Sequence, residues 1–344
     1  MKKFFYILFA LVSFLELSAQ DAAFSQYYSS ELYLNPAMAG EEQYLTFSSN
    51  YRQQWKSIVL PYTTSQFSIV VPYYDKSVVE KHRGGIGLSV YNDRAGESNF
   101  RTTGINLTGA YNLPLTLDYS HNLSFGLQGG IIQKSIDYSD LEWGEQFNPF
   151  IGFDGSVSPT EGSLGNSTMY ADFSAGIMYY YNYQQDYNER KISGFIGGSV
   201  YHLNTPNESF VSGQGSSLPR LFKGHGGLNV PVSEKLHVSP NVLYMNQHQN
   251  DHINVGLYLT YQIFGSTGNL LDEAELILGT WYRLEDSFIF SVGMHQRAWT
   301  LGFSYDYNNS SLRYETRGQG AYEISLQIRR VKERSMKRIA TPRI

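Results

Sequence analysis

From about residue 44 to residue 329, side chains alternate between apolar and small polar, one residue at a time, in segment after segment. A period of two marks a β-strand whose two faces meet different surroundings. In 254–263, Val255, Leu257, Leu259 and Tyr261 share one face, and Asn254, Gly256, Tyr258, Thr260 and Gln262 share the other. Leu123, Phe125, Leu127 and Ile131 oppose Asn122, Ser124, Gly126 and Gln128 in the same way. Trp299, Leu301, Phe303 and Tyr305 oppose Thr300, Gly302, Ser304 and Asp306; Tyr322, Ile324, Leu326 and Ile328 oppose Glu323, Ser325 and Gln327. The polar faces are small and mostly uncharged, which suits a barrel lumen better than a sheet face in bulk water.

The N-terminus fixes the compartment. Lys2 and Lys3 precede an almost unbroken apolar run from Phe4 to Leu15, and Leu17-Ser18-Ala19 ends on a small residue, the plan of a secretory signal peptide. Beyond Ala19 no apolar stretch approaches the ~18–20 residues of a membrane helix. An exported chain that enters a membrane without helices is left with a closed barrel, which pairs every backbone donor and acceptor internally. Cysteine is absent, which removes a lipoprotein anchor and a disulfide framework together. The 28 Tyr and 20 Phe suit the aromatic girdles of an outer-membrane barrel, and a net charge of -5 speaks against nucleic acid as a partner.

Alternating segments lie near 44–51, 63–72, 84–92, 99–112, 121–134, 168–182, 192–203, 219–230, 235–246, 252–264, 275–284, 286–296, 298–308 and 320–329. The expected fold is all-β: a closed antiparallel transmembrane β-barrel of about 14 strands, following a cleaved signal peptide. An even strand number puts both termini on one side, the periplasm, in an outer-membrane location. The long connections 135–167 and 204–218 then face outside, while short ones such as 231–234 and the turn near Arg297 face the periplasm. The organisation reads as a signal peptide at 1–19, an N-terminal periplasmic or plug segment at 20–42, the barrel at 43–329 and a basic periplasmic tail at 330–344. Residues 20–42 lack strand alternation, and either plug the lumen or rest beneath it.

Two regions present side chains suited to partners. Trp143, Phe147, Phe150, Phe153 and Phe210 sit in the long connections, and aromatic anchors dominate binding energy at protein interfaces. The C-terminal end carries Arg329, Arg330, Lys332, Arg334, Lys337, Arg338 and Arg343 against Glu333. Such a tail is either a solubilising end or a contact for an acidic periplasmic partner.

No catalytic, cofactor-binding or metal-binding constellation stands out. His248 and His252 have helix-like spacing, but they fall in an expected hairpin without a third ligand. Asp172 and Asp306 fall on lumen faces, and with His225 and His237 they are the candidates for hydrolase chemistry. Isolated lumen carboxylates, however, more often pair with Arg or Tyr. Gly84-Gly85-Ile86-Gly87 has no following helix and reads as strand rather than as a phosphate cradle.

Phe24-Ser25-Gln26-Tyr27-Tyr28, with Leu32-Tyr33-Leu34-Asn35-Pro36-Ala37 and Gly40 after it, resembles the opening signature of the PorP/SprF family of Bacteroidetes. Tyr51-Arg52-Gln53-Gln54-Trp55 resembles its Tyr-Arg-x-Gln-Trp stretch, and Ser199 to Asn204 with Pro206-Asn207 its His-Leu motif. Leu278 to Arg283, Gly302 to Asp306 and Gly320 to Leu326 resemble its closing strands. The ending Thr341-Pro342-Arg343-Ile344 departs from a Cys-Pro-Arg-Phe-like family ending, so no role of that Cys carries over.

The resemblance implies a non-enzymatic outer-membrane component of the type IX secretion system. It would support secretion or surface attachment of cognate proteins such as gliding adhesins. The implied partners are outer-membrane lipid, a secreted surface protein with a type IX sorting domain and periplasmic secretion-system components. Asn35, Pro36 and Gly40 are expected to punctuate a turn, and Arg52 and Trp55 to clamp the first hairpin at the outer interface. The alternative is a passive porin or solute channel, which usually needs opposed charges at its constriction.

Overall fold

The computed structural model describes residue 21 and residues 23–330, apart from 57–60, 76–80, 97–98, 118–119, 138–140, 158–164, 182–184, 187–191, 212, 214 and 264–273, together with Lys337–Arg338. The expected signal peptide and the tail residues Lys332 and Arg334 lie outside the described residues, as do the side chains of Lys337 and Arg338.

Fourteen strands close into one antiparallel barrel, each paired with its neighbours in sequence. They are β1 (Leu45–Gln54), β2 (Tyr62–Asp75), β3 (Lys81–Ala95), β4 (Phe100–Pro114), β5 (His121–Ser135), β6 (Ser167–Tyr181) and β7 (Ser193–Tyr201). The second half comprises β8 (Leu221–Pro231), β9 (Leu236–Gln247), β10 (Asn250–Gln262), β11 (Glu275–Arg283), β12 (Ser287–Gln296), β13 (Trp299–Asn308) and β14 (Gln319–Arg330). Closure is made by β1 on β14, from Leu45 opposite Arg330 to Gln54 opposite Ala321. The expected strand count holds, and so does the assignment of faces. Phe125, Leu127 and Ile131 are exposed on the outside, while Asn122, Ser124 and Gln128 are buried within. Gly84 to Gly87 lie in β3, as read from the sequence.

Burial is thus inverted relative to a protein dissolved in water: apolar side chains cover the outer wall and polar ones face inward, as lipid requires. Tight hairpins join several strands. His248, at φ 57°, takes the left-handed conformation that such a turn demands. His252 lies four residues on within β10, so no helix exists through which that spacing could act.

The barrel has two mouths. β1 begins and β14 ends at one, here the terminal mouth. The connections 136–166 and 202–220 lie at the other, the far mouth. There Phe147–Asn148 pairs with Gly152–Phe153 in a small hairpin whose Phe147, Phe150 and Phe153 are exposed. Trp143 and Phe210 are half-buried, the latter with its ring 6.2 Å from that of Phe100. The connection 202–220 folds inward: Leu218 is buried with Ile132 and Tyr170, and Glu208 pairs with Lys134 of β5.

Leu127, 70% exposed in the middle of β5, tests the outer face. Leu127→Arg is expected to cost ~2–4 kcal/mol by urea titration in lipid vesicles, and a cost near zero would contradict an outward, lipid-facing side chain.

Candidate functional site: the filled lumen

Residues 21–43 occupy the lumen from mouth to mouth. Asp21 donates its backbone N–H to Gln247 Oε1 (3.0 Å) at the far end of β9. At the terminal mouth Gln43 accepts from Tyr74 near the end of β2, just before the chain enters β1. Between these points the segment forms a 3-10 turn at Tyr27–Ser29, one helical turn at Glu31–Leu34 and a second 3-10 turn at Pro36–Gly40. Asn35 starts the last turn as expected: its Oδ1 accepts from Ala37 N (2.9 Å), with Pro36 at the first position.

Turns this short are not stable alone; the wall holds them. Ser199 Oγ donates to Leu34 O (2.8 Å), Ser124 Oγ to Ala37 O (2.8 Å) and Tyr201 OH to Leu32 O (3.1 Å). Asn35 Nδ2 donates to Ile177 O (3.1 Å) and Gly198 O (3.2 Å). Wall side chains therefore answer main-chain groups that the short turns leave unpaired.

Four wall glycines make room for this backbone. A Cβ at Gly126 would collide with Ala37 N and Pro36, and one at Gly85 with Ala39 O. At Gly87 it would strike Leu32, and at Gly176 the Asn35 side chain. The closest neighbours at Gly126 and Gly85 are backbone, which cannot swing aside. The path of the segment is written into the wall.

The charged grip lies at the seam where the barrel closes. Ser25 Oγ donates to Asp306 (2.7 Å to Oδ2) and accepts from Arg52 Nη1 (2.5 Å) and Arg283 Nη2 (3.1 Å). Glu323 accepts the backbone N–H of Ser25 (2.7 Å) and of Gln26 (3.2 Å). Arg52 lies 2.9 Å from Asp306 and 3.6 Å from Glu323, and Arg283 lies 2.8 Å from Asp286. Gln26 Oε1 accepts from Ser325 Oγ (2.7 Å). Each carboxylate is answered by guanidinium or N–H, the condition under which buried charge is tolerated.

Beside this grip lies an apolar region. Tyr27, Tyr28, Leu34, Ala37 and Met38 form one buried cluster with Met178, Tyr180, Phe195, Leu243, Tyr258, Ile277, Trp281 and Ile289 of the wall. Tyr27 meets Trp281 edge-on at 5.2 Å, and Tyr28 meets Phe195 at 5.5 Å. Lower down, Glu31 accepts from Gln327 (2.9 Å), Tyr180 OH donates to Glu41 (3.0 Å), and Glu42 faces Arg329 (3.5 Å).

At the far mouth His202 bridges two carboxylates, with Nε2 2.7 Å from Asp21 and Nδ1 2.9 Å from Asp172. Burial by itself would lower the His202 pKa. The negative charge of Asp21 and the hydrogen bonds to both carboxylates outweigh it and raise the pKa to about 10. Burial would likewise raise that of Asp21, but the charge and hydrogen bond of His202 hold it well below the usual carboxylate range.

Several expectations need correction. Arg52 is not at the outer interface: it is 3% exposed and points into the lumen, whereas Trp55 stays at the end of β1 beside Tyr62 (5.0 Å). Arg329 is not offered to a partner either, because it turns inward to Glu42 and Thr300. The lumen is not mostly uncharged. Arg52, Lys134, Asp172, Lys223, Arg283, Asp306, Glu323 and Arg329 all turn inward and are buried; lipid admits them on no other face. Asp172 and Asp306 are taken up by His202 and Arg52, and His225 meets Asn35 (3.2 Å). The first described residue, Asp21, lies at the mouth opposite Arg330. The even strand number puts both ends of the barrel itself at the terminal mouth, and the described lumen segment runs from there back to the far mouth. Of the partner-contact candidates, Phe147, Phe150, Phe153 and Arg330 are exposed.

The six stretches singled out in the sequence therefore meet. Ser25 to Tyr28 and Asn35 to Gly40 form the core of the segment; Arg52, Ser199, Tyr201, His202, Trp281, Arg283, Ser304, Asp306, Glu323 and Ser325 are the wall groups that hold it.

The family described as "Type IX secretion system membrane protein PorP/SprF" matches residues 16–328. No curated protein matches the sequence. Among solved structures, the Ralstonia pickettii toluene transporter TbuX is 11% identical at a TM-score of 0.46, over 88% of this chain and 93% of that one. A Pseudomonas aeruginosa FadL homologue is 11% identical at 0.45, over 88% and 94%.

Gly126→Val should unseat the segment, whereas Gly109→Val, where an added Cβ meets nothing within 4 Å, should not. A Ser29→Cys thiol, 1% exposed in the wild type, should react with a water-soluble maleimide only in the former; equal protection in both would contradict the packing. The His202–Asp21 contact gives a pH signature. The raised His202 pKa stabilises fully below 6.5, and that contribution is lost as pH rises through about 10. The lowered Asp21 pKa contributes above 3.8 and is lost only as pH falls through its depressed value. A nitroxide at Ala23→Cys should therefore gain mobility as pH climbs past 6.5 towards 10, and His202→Gln should flatten that profile.

Proposed function

The chain belongs to the PorP/SprF family of type IX secretion system membrane proteins, and on that premise we propose that it is a non-enzymatic outer-membrane component of the system that holds cognate secreted proteins at the cell surface. The observation that carries this reading is the filled lumen. Two cavities beside the segment, of about 10 and about 20 Å³, have room for no more than a water or two, which disfavours the passive porin.

The far mouth faces outward in this reading. Its hairpin with Phe147, Phe150 and Phe153 is the docking surface for a surface protein with a type IX sorting domain, gliding adhesins among them. Arg330 is exposed at the terminal mouth, and the basic residues of the tail sequence after it, Lys332, Arg334, Lys337 and Arg338, are proposed to meet acidic components of the secretion machinery in the periplasm. Screening limits that second contact, which strengthens as salt is lowered.

Deleting the gene should strip one or a few cognate proteins from the surface and leave small-solute uptake intact. Loss of uptake with every surface protein retained would contradict the proposal. Replacing Phe147, Phe150 and Phe153 by Ser should release the same proteins into the medium, at about 2 kcal/mol lost per anchor, while the barrel still assembles. A thiol at Phe150→Cys should label from outside intact cells and one at Ser233→Cys, in the β8–β9 turn, should not; the opposite result would invert the orientation.

A further inference from the structure

The far mouth gathers buried cationic groups around Asp21, the first described residue of the lumen segment. His202 and Lys223 both sit there, each 4% exposed at the side chain or residue. Asp172 answers His202 at one ring nitrogen. Lys223 is met by neutral groups: its Nζ donates to Tyr33 O (2.5 Å) and lies 4.2 Å from the ring centres of both Tyr33 and Tyr201. A second carboxylate for His202 comes from Asp21, which lines the same two cavities as Lys223.

Asp21 occupies this position in a particular way. Its carboxylate is bound by His202 and its main-chain N–H by Gln247. Both groups that make the contact would serve any acidic residue of an extended polypeptide equally well. The side chain is 26% exposed. A small recess beside it, of about 10 Å³, is lined by Leu221, Met245, Gln247, Asn250 and His252. Asp21 also lies at the leading end of the lumen segment, four residues before the grip on Ser25, so it can leave without unseating the rest. When it leaves, His202 keeps Asp172 but loses its second carboxylate, a contact that another anion entering the mouth would restore.

We propose that this recess is a receptor site for an acidic residue of the secreted partner polypeptide, occupied by the chain's own Asp21 until that partner arrives. The proposal rests on the cargo-holding reading above and deepens it: the exposed aromatic hairpin supplies affinity, and the recess reads a carboxylate. Exchange of one carboxylate for the other keeps both ring nitrogens of His202 paired.

The test uses the purified full-length protein, whose lack of Cys allows a single reporter at Ala23→Cys. The probes are an acetylated, amidated Leu-Asp-Leu peptide and its Leu-Asn-Leu counterpart. A tethered carboxylate competes at a high effective concentration, so Asp21→Asn should bind the Asp peptide about tenfold or more tightly than wild type does. Lys223→Gln and His202→Gln, each confirmed as a closed barrel by its heat-modifiable gel shift, should lose that gain. The Asn peptide should bind none of them. Equal binding of the two peptides, or no gain in Asp21→Asn, overturns the site. That result would leave the cargo-holding reading standing wherever gene deletion still strips proteins from the surface; a deletion that strips none would sink that reading whatever the peptides do.

Discussion

A closed barrel of fourteen strands encloses more space than its own inward side chains can fill. Eight strands leave an interior that side chains can pack, and larger numbers leave a channel unless something enters. Here the occupant is the chain's own residues 21–43, and the rest of the structure follows from accommodating it. One side of the lumen is apolar because Tyr27, Tyr28, Leu34 and Met38 pack there. The opposite side is charged because Ser25 and Gln26 are held there by Arg52, Asp306 and Glu323. Glycines fall where the segment's backbone passes closest to the wall.

The grip is concentrated on β1, β13 and β14, the strands on either side of the closing seam. Seating the segment and closing the barrel are therefore coupled. Arg52 belongs to the first strand, and Asp306 and Glu323 to the last two, so their contacts span separations of 254 residues and more. Removing one member would leave the others as uncompensated buried charge, which costs about 3–5 kcal/mol in comparable settings. The same contacts carry the segment's first described residue to the mouth opposite Arg330, where the exposed aromatic hairpin also lies.

Much of the barrel is legible in the sequence because lipid imposes a period of two on every strand. Leu123, Phe125 and Leu127 cannot exchange faces with Asn122, Ser124 and Gly126 without presenting polar groups to hydrocarbon. The same rule contained the signal for Arg52, which shares parity with Thr46, Ser48 and Asn50. A role suggested by resemblance displaced it to the interface. The lumen segment was harder to read. Residues 20–42 have no periodicity because no single surface faces them; their partners come from staves far apart in the chain. Gly85, Gly87, Gly126 and Gly176 are indistinguishable by sequence from glycines that merely relax a strand. Trp281 and Tyr258, the latter already placed on the inward face by its parity, are aromatics in a lumen expected to be lined mostly by small polar groups. Their purpose is visible only once Tyr27 and Tyr28 are seen against them.

A filled lumen is the central claim, because it separates a secretion component that presents two surfaces from a pore that conducts between them. Conductance in planar lipid bilayers tests it most directly. The full-length protein should give little or no stable conductance, and a form lacking residues 20–43 should give large, long-lived steps. A large and steady conductance from the full-length protein, unchanged by that deletion, would contradict the account.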